Sequence, residues 1–474
     1  MKKVFDLQQP VMGLSNRVKA QVIENGRVVF ETPWAANLIL DQGMDRFAID
    51  NLVNLFTHCA VGTGNTPTED DSGVITVTTS GTTATASAPI FAAGDVGKLL
   101  RCVTGEKAKI TGFTSTTVVT LASALGVAVG QVFKMYRVTQ TGLTSESRRS
   151  NTYLTGSGNC GSTLAGSALT HRRTYDFPVE VANVNYAEVG FSHTATVAAN
   201  LNTRALFSGG AVTVLIGQQI RVVYDFVITL SPTSPRTKKF PITGWPSLQQ
   251  NVTADSTTDK ITLTAHGFPA DTEIVFGGTS APGGLTFGTS YYVVVDAANT
   301  FKVAASPGGG AIDITTNGSG VYVKTNTLGT EQLPQVGIMC ITTAGGQTQF
   351  GTDSPGGVAN TGCEPSATGF IFFGTDSTAH VAFPIGISAT WAGTVVSKSL
   401  VLDTYVAGSF TRTKSVSLTA GEGNSSAIRT IAITNSGSTV GKGGIRFLFN
   451  HPQEKTSLFT LSCRFRYTWD RDFS

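Results

Sequence analysis

From Val212 to Leu230 the even-numbered positions read Val, Val, Ile, Gln, Ile, Val, Tyr, Phe, Ile, Leu, while the odd positions include Thr213, Gln219, Arg221, Asp225 and Thr229. A period of two sends successive side chains to opposite faces, so this run predicts long strands with one buried face, bent at Gly217 and Gln218. The C-terminal stretch repeats the pattern. Phe459, Leu461, Cys463, Phe465, Tyr467 and Trp469 alternate with Thr460, Ser462, Arg464, Arg466 and Thr468, which predicts a C-terminus tied into a sheet. Near the other end, Val18, Ala20 and Val22 alternate with charged or polar residues up to Asn25-Gly26. Asn-Gly accepts the positive φ angles of a two-residue turn, so the chain is expected to return as a hairpin through Val28 and Phe30. One segment reads as a helix: from Asp41 to Leu55, Met44, Phe47, Ala48, Leu52 and Leu55 recur at three- and four-residue spacing, with Asp41 placed to cap the start. One short helix among many strands predicts an all-β protein.

Two stretches look inserted into this pattern. Residues 74–138 are a run of short Val/Thr/Ile strands bounded by Thr-Glu-Asp-Asp-Ser-Gly before and Thr-Gln-Thr-Gly after. Residues 250–325 are rich in Gly, Pro and Asn turns, among them Pro282-Gly283-Gly284 and Pro307-Gly308-Gly309-Gly310. Each has the size of a small β domain. Removing the first joins Gly62–Pro67 to Thr141–Thr144 as an ordinary loop into a strand, as an insertion at a loop tip should. The expected organisation is a β-sandwich body from residues 1–73 and 139–249, inserted modules at 74–138 and 250–325, and a C-terminal β domain at 326–474. No repeat of fixed period supports a solenoid or propeller.

Composition narrows the function. The 474 residues are long enough to bury a core without a disulfide or metal staple. Charged residues make up 14%, against about 25% in an average globular protein. Ser, Thr, Gly and Asn take their place, which suits extended strands and faces that must not repel a neighbour. A net charge of +3, spread along the chain, argues against nucleic-acid binding, which needs a concentrated basic stripe. The start MKKVFDLQQPVMG opens like an export signal, but Asp6, Gln8, Gln9 and Pro10 interrupt its apolar part. No run approaches the ~18 apolar residues of a membrane-spanning helix. A protein folded in a cytoplasm is expected. Cys59, Cys102, Cys160, Cys340, Cys363 and Cys463 show no C-x-x-C spacing, so they read as free, buried thiols with no zinc or redox motif.

Catalytic signatures are missing. There is no G-x-S-x-G elbow, no H-E-x-x-H, no G-x-G-x-x-G after a strand and no EF-hand loop. Gly437–Gly443 resembles a phosphate loop but is one residue short and lacks the Ser/Thr that holds magnesium, so it reads as a glycine-rich turn. His58, His171, His193, His266, His380 and His451 stand far apart in sequence. His171-Arg172-Arg173 is the one small basic cluster; it reads either as an anion contact or, more simply, as salt-bridging arginines. Glycoside cleavage needs only a well-spaced carboxylate pair, and Glu180, Glu188, Asp225 and Asp296 are the acids considered for it. No local pattern separates them from ordinary strand and loop acids. Tyr291-Tyr292 before Val293-Val294-Val295 reads as a strand packed on its neighbours, or as a sugar-stacking platform. The expectation is a non-enzyme with no catalytic, metal or cofactor-binding residues and no cofactor.

Four segments resemble virion proteins of tailed bacteriophages. Pro33–Asp45 followed by Val61–Pro67 is similar to the N-terminal part of phage tail and appendage proteins. Tyr175–Pro178, Glu188–Ser192, Thr203–Phe207 and Gly217–Tyr224 follow in the order of the β-sandwich body of such proteins, with Asn202-Thr203 where phage versions often carry Phe or Ser. Phe91 to Leu121, with Asp95-Val96-Gly97-Lys98 and Ala108-Lys109-Ile110-Thr111-Gly112, looks like a small β module of phage structural proteins. His266-Gly267-Phe268, Gly283-Gly284-Leu285, Thr289–Val294 and Asn299–Val303 resemble another. Together these cover roughly half the chain, and residues 330–474 add nothing beyond β patterning. The resemblance implies an oligomeric, tail-associated or fibre-like particle component. Its expected partners are copies of itself and other virion proteins, with a host-surface glycan or receptor as a further candidate; it is assembled in the host cytoplasm and located in the virion, without membrane insertion. A capsid-attached fibre or decoration protein is the alternative, as is a virion-bound polysaccharide-degrading or receptor-binding protein. The N-terminal segment Lys2 to Gln9, polar and without a core face, is expected to order only against a neighbouring protein.

Overall fold

The computed structural model describes residues 2–8, 12–50, 55–155, 158–165, 168–197, 199–230, 238–242, 250–268, 270–325, 327–332, 370–375, 388–390, 394–434, 440–442, 445–455, 457–458 and 460–473. Strands dominate it, and the class is all-β. The alternating run after Val212 forms two strands, Val212–Val214 and Gln219–Leu230, broken where Gly217 takes φ +86°. The second lies antiparallel to Met12–Glu24, from Met12 opposite Leu230 to Ile23 opposite Gln219. Around this pair a sheet runs in the order Cys160–Ala165, Ala168–Asp176, Gln219–Leu230, Met12–Glu24, Thr460–Arg471, Thr411–Leu418, Val401–Leu402. A second sheet orders Glu146–Ser150, His58–Gly62, Glu188–Ser192, Leu201–Leu206 and Leu38–Ile39. Inward residues of both sheets, such as Val18, Val22, Tyr224 and Phe226 against Val61, Val189 and Phe191, belong to one core. The rings of Phe191 and Tyr224 lie 3.8 Å apart between centroids. This is a β-sandwich.

The boundary expected at 326 does not separate two cores. Ile371, Phe373, Ile428 and Ile431, from a third sheet, and Leu461, Phe465 and Trp469, from the last strand, join Met12, Val18 and Phe226 in the same cluster. Thr460–Arg471 sits inside the first sheet, antiparallel to Thr411–Leu418 and parallel to Met12–Leu14. Alternation showed that one face of this strand is buried, but not against what. The N-terminal segment also departs from expectation: Lys2–Gln8 pairs in parallel with Thr460 to Arg466 of its own chain. A free backbone edge beside that strand satisfies its hydrogen bonds, whatever its side chains.

The helix spans Asp41–Phe47 and is followed by a turn at Ala48–Asp50; residues 51–54 of the longer expected helix lie outside the described residues. Leu40, not Asp41, is the N-cap, with no side-chain capping bond. The Asp41 carboxylate is taken by Lys109 and Arg471. Met44, Phe47 and Ala48 bury the helix in the sandwich core, and the Trp469 indole donates to the Met44 carbonyl at 2.9 Å.

Both insertions sit at hairpin tips. His58–Gly62 pairs with Glu146–Ser150, and between them the chain leaves to form a closed six-stranded barrel from Glu69–Ser80, Thr83–Ala86, Leu99–Cys102, Lys107–Ser115, Val118–Leu121 and Gln131–Tyr136. The barrel has its own core, including Val77, Leu100, Ile110, Val119 and Phe133. It begins earlier than the boundary at 74: Glu69-Asp70-Asp71, in the stretch expected to bound it, forms the start of a strand. Its charges are matched across the barrel, Glu69 by Lys134 and Asp70 by both Lys98 and Arg137. Likewise Lys238–Ile242 pairs with Thr327–Gln332, Ile242 opposite Thr327. At that tip stands a seven-stranded antiparallel sheet of residues 250–325 with a core of its own. Its consecutive strands Gln250–Asn251 and Thr253–Asp255 lie at opposite ends of the strand order, so the sheet curls round on itself.

Cys59 and Cys102 are free and buried, and Cys160 and Cys463 are buried as well; Cys340 and Cys363 lie outside the described residues. Burial pushes the Cys102 thiol up to about 11 and that of Cys59 well above its ordinary range. The thiolate is the reactive form, so at pH 8 Cys59 and Cys102 should stay unlabelled by a thiol reagent in the native chain and react after unfolding. Peptide mapping of the label checks this, and labelling of native Cys59 would contradict the packing.

Candidate functional site

The acids considered for catalysis are brought to separate places, each against a cation. Glu188 and Arg204 are wholly buried, 2.8 Å apart, on neighbouring strands of the second sheet. The same carboxylate accepts from the Thr144 and Ser145 backbone N–H groups at 3.0 and 2.6 Å. Arg204 also donates to the Thr66 carbonyl at 2.7 Å and to Gln140 at 3.2 Å. Thr66 lies on the chain entering the barrel, Gln140 to Ser145 on the chain leaving it, so one buried ion pair ties both legs to the sandwich. Gly64 is required here, because a Cβ on it would stand 2.3 Å from the Glu188 Oε1. Charge-assisted bonds of this kind are the strong ones.

Glu180 accepts from the Tyr186 hydroxyl at 2.7 Å and pairs with Arg148 at 2.7 Å; burial, then the Glu180 bond, pushes the Tyr186 phenol up. Asp225 is buried between Arg17 and Arg172, 2.9 and 2.6 Å away. Asp296 lies in the second module, held below the usual carboxylate range first by the Thr300 hydroxyl and then by Lys260. A general acid needs a raised pKa, and Asp296 is shifted the other way.

His171-Arg172-Arg173 is split by strand alternation. Arg172 clasps Asp225 with two bonds on the outer face. Arg173 is buried and donates to the Phe56 carbonyl at 2.6 Å, and His171 is buried. On the outer face Trp34 stands 4.4 Å from the Arg17 guanidinium, 5.0 Å from the Lys19 ammonium and 5.7 Å from Arg172. Sequence reading did not link these residues, because Trp34 is far along the chain from Arg172.

Tyr291 is buried and its hydroxyl accepts from the Thr286 N–H at 2.7 Å, a packing role; Tyr292 is half-buried on the other face. His266 is a satisfied core residue, its Nδ1 accepting from the Phe268 N–H at 3.0 Å. His58 and His193, remote in sequence, come together beside Arg149; burial first, then the Arg149 charge, lowers the pKa of His58. His380 and most of Gly437–Gly443 lie outside the described residues, and Lys442 is paired in a strand opposite Ser388. Among the described residues no three His, Cys, Asp or Glu side chains gather to hold a metal, and no helix is long and apolar enough to cross a membrane.

Val28, Val29 and Phe30 are among the exposed apolar side chains of the sandwich. The hairpin turns at Asn25-Gly26, with φ +50° and +77°, as its sequence requires. Its return strand, Arg27–Glu31, runs through Val28 and Phe30 as expected and is exposed on both faces. Among the described residues it pairs with Met12–Glu24 alone. Comparison of the chain with family models, curated proteins and solved structures gives no match.

Proposed function

We propose that the chain is a non-enzymatic structural subunit of a tailed-phage particle, tail-associated or fibre-like, acting by assembly with copies of itself and with other virion proteins. The observation that carries this reading is architectural. Two β modules, each with its own core, are mounted on hairpin tips, one of the β-sandwich and one of the third sheet, and they fall on segments that resemble phage virion proteins. The buried acids and arginines are engaged with one another, as suits a scaffold. The low charge supports the same reading, since interface cores are depleted of charged side chains.

In this reading no bound metal or cofactor is needed, nucleic acid is not a partner, and neighbouring subunits in closed rings or trimers bury well over 1,000 Å², the approximate floor for a specific interface. The test is an image of the assembled particle with the chain located in it. Copies at the tail, meeting through large contacts, are the expected result. Copies on the head would transfer the proposal to a capsid-attached fibre or decoration protein. Isolated copies touching nothing through more than a small polar patch would end it, and release of reducing sugar from host polysaccharide by the purified chain would refute the non-enzymatic part.

A further inference from the structure

His58 opens the strand His58–Gly62 and lies opposite Ser192, the residue before His193. Both imidazoles are half-buried. The loop that starts at His193 is pegged by one side chain. Arg149, 4% exposed, donates to the Thr194 carbonyl at 2.8 Å and to the Ala199 carbonyl at 3.4 Å. Glu146, 1% exposed, holds the same guanidinium with bonds of 2.8 and 2.9 Å. The Ser192 hydroxyl closes the base of the loop by donating to the Asn200 carbonyl at 2.7 Å.

The groups that act on the two rings come from several elements. Arg46 and Asp50 stand on the helix and the turn after it, Glu146 and Arg149 on the edge strand of the second sheet, Asn202 on Leu201–Leu206, and Cys59 beside His58. Residues 51–54 contribute no titratable side chain. Arg46 pairs with Asp50 and Arg149 with Glu146, and the Cys59 thiol is neutral because burial raises it. Two cations are matched by two anions. A proton on either imidazole therefore adds a positive charge with no carboxylate left to meet it.

We propose that His58 and His193 form an acid-sensitive catch: protonation sets charge against Arg46 and Arg149, turns the His193 ring out to solvent and draws Thr194 off the Arg149 side chain, so that the loop opens. Histidine is the side chain whose charge changes in this range. Burial, then Arg46, hold His193 below the ordinary histidine range against the opposite pull of the Asn202 amide and Asp50. Burial, then Arg149 and His193, do the same to His58. An imidazole that resists the proton when packed and takes it when open favours the packed form fully above a pH of about 6.5. That advantage fades as the pH falls from there through the lower values of the packed rings. The catch works within one chain and does not rest on the virion reading.

Hydrogen exchange of the purified full chain at about pH 7.5 and about pH 5, corrected for the intrinsic rate, reads the opening directly. Peptides that contain Thr194–Val197 should exchange about threefold faster or more at the lower pH, relative to barrel-core peptides around Val119 in the same sample. His193→Phe keeps a ring in place that cannot take a proton and should remove most of this response; adding His58→Phe should remove the rest. Arg46→Gln, at a partly exposed pair, offers a variant that leaves both histidines in place. It takes away the first charge acting on His193, so the His193 imidazole midpoint, followed by magnetic resonance of histidine-labelled chain, should rise toward the ordinary value, and the loop should open at a higher pH. Midpoints of His58 and His193 at or above the ordinary value in the unaltered chain overturn the proposal. So does a Thr194–Val197 response equal to that of the barrel core, one that survives in the double His→Phe chain, or a His193 midpoint that Arg46→Gln leaves unmoved.

Discussion

Glu188→Ala is expected to lower the free energy of unfolding by about 3–5 kcal/mol, the cost of leaving a buried charge without its partner. Arg204 would remain wholly buried, and the Thr144 and Ser145 N–H groups would lose their acceptor. Arg204→Ala should cost a similar amount, because it strands the carboxylate and frees the Thr66 carbonyl. The double substitution Glu188→Leu with Arg204→Met should be milder than the sum of the singles, since no charge is left unpaired. Urea denaturation of all three variants gives the comparison. The latch also predicts where the damage appears: protease should cut the Glu188→Ala chain first at 63–67 or 140–145, the two legs of the barrel. Single substitutions costing under about 1 kcal/mol, the scale of an exposed pair, would mean that this ion pair does not hold the legs.

Excision of the two inserted modules should have unequal consequences. The barrel is docked as well as inserted. Leu99 and Tyr136 pack with Leu38, Leu40, Ala60 and Leu201 of the body. Lys107 pairs with Asp470 at 2.8 Å, Lys109 binds Asp41, and the Phe473 ring lies 4.4 Å from that of Tyr136. Removing 69–136 uncovers this surface, and each large apolar side chain fully uncovered forfeits about 1.5–3 kcal/mol. The shortened chain should aggregate or melt well below the parent. Among the described residues the core of the second module is drawn from 252–323 alone. Replacing 243–326 by a short turn between the paired residues Ile242 and Thr327 should leave the melting of the body nearly unchanged. Thermal unfolding and solubility of the two shortened chains decide the matter. Equal behaviour of both would contradict the docked barrel.

The sequence by itself determined the class, the long alternating strands, the Asn25-Gly26 turn and the helix start near Asp41. These are local properties. Alternation and turn residues act within a few positions, and they report which face of a strand is buried. Their reach ends there. Phe459 to Trp469 looked like the last strand of a separate C-terminal domain, but only the fold placed it between Thr411–Leu418 and the start of Met12–Glu24, inside the first sheet. Asp41 looked like a cap until Lys109 and Arg471, from a barrel strand and the C-terminal strand, claimed its carboxylate. Glu69-Asp70-Asp71 looked like the bound of the insertion, outside it, because the cations that pair with it in the strand lie 28 to 67 residues away. Glu188 carried no local mark of its role, since its partners come from Arg204 and from the far leg of an insertion. Val28 and Phe30 lie on the return strand the Asn-Gly turn predicts, and only the tertiary structure shows that strand exposed on both faces. Burial and charge pairing depend on which distant segments meet, and an alternating pattern carries no information about its partner.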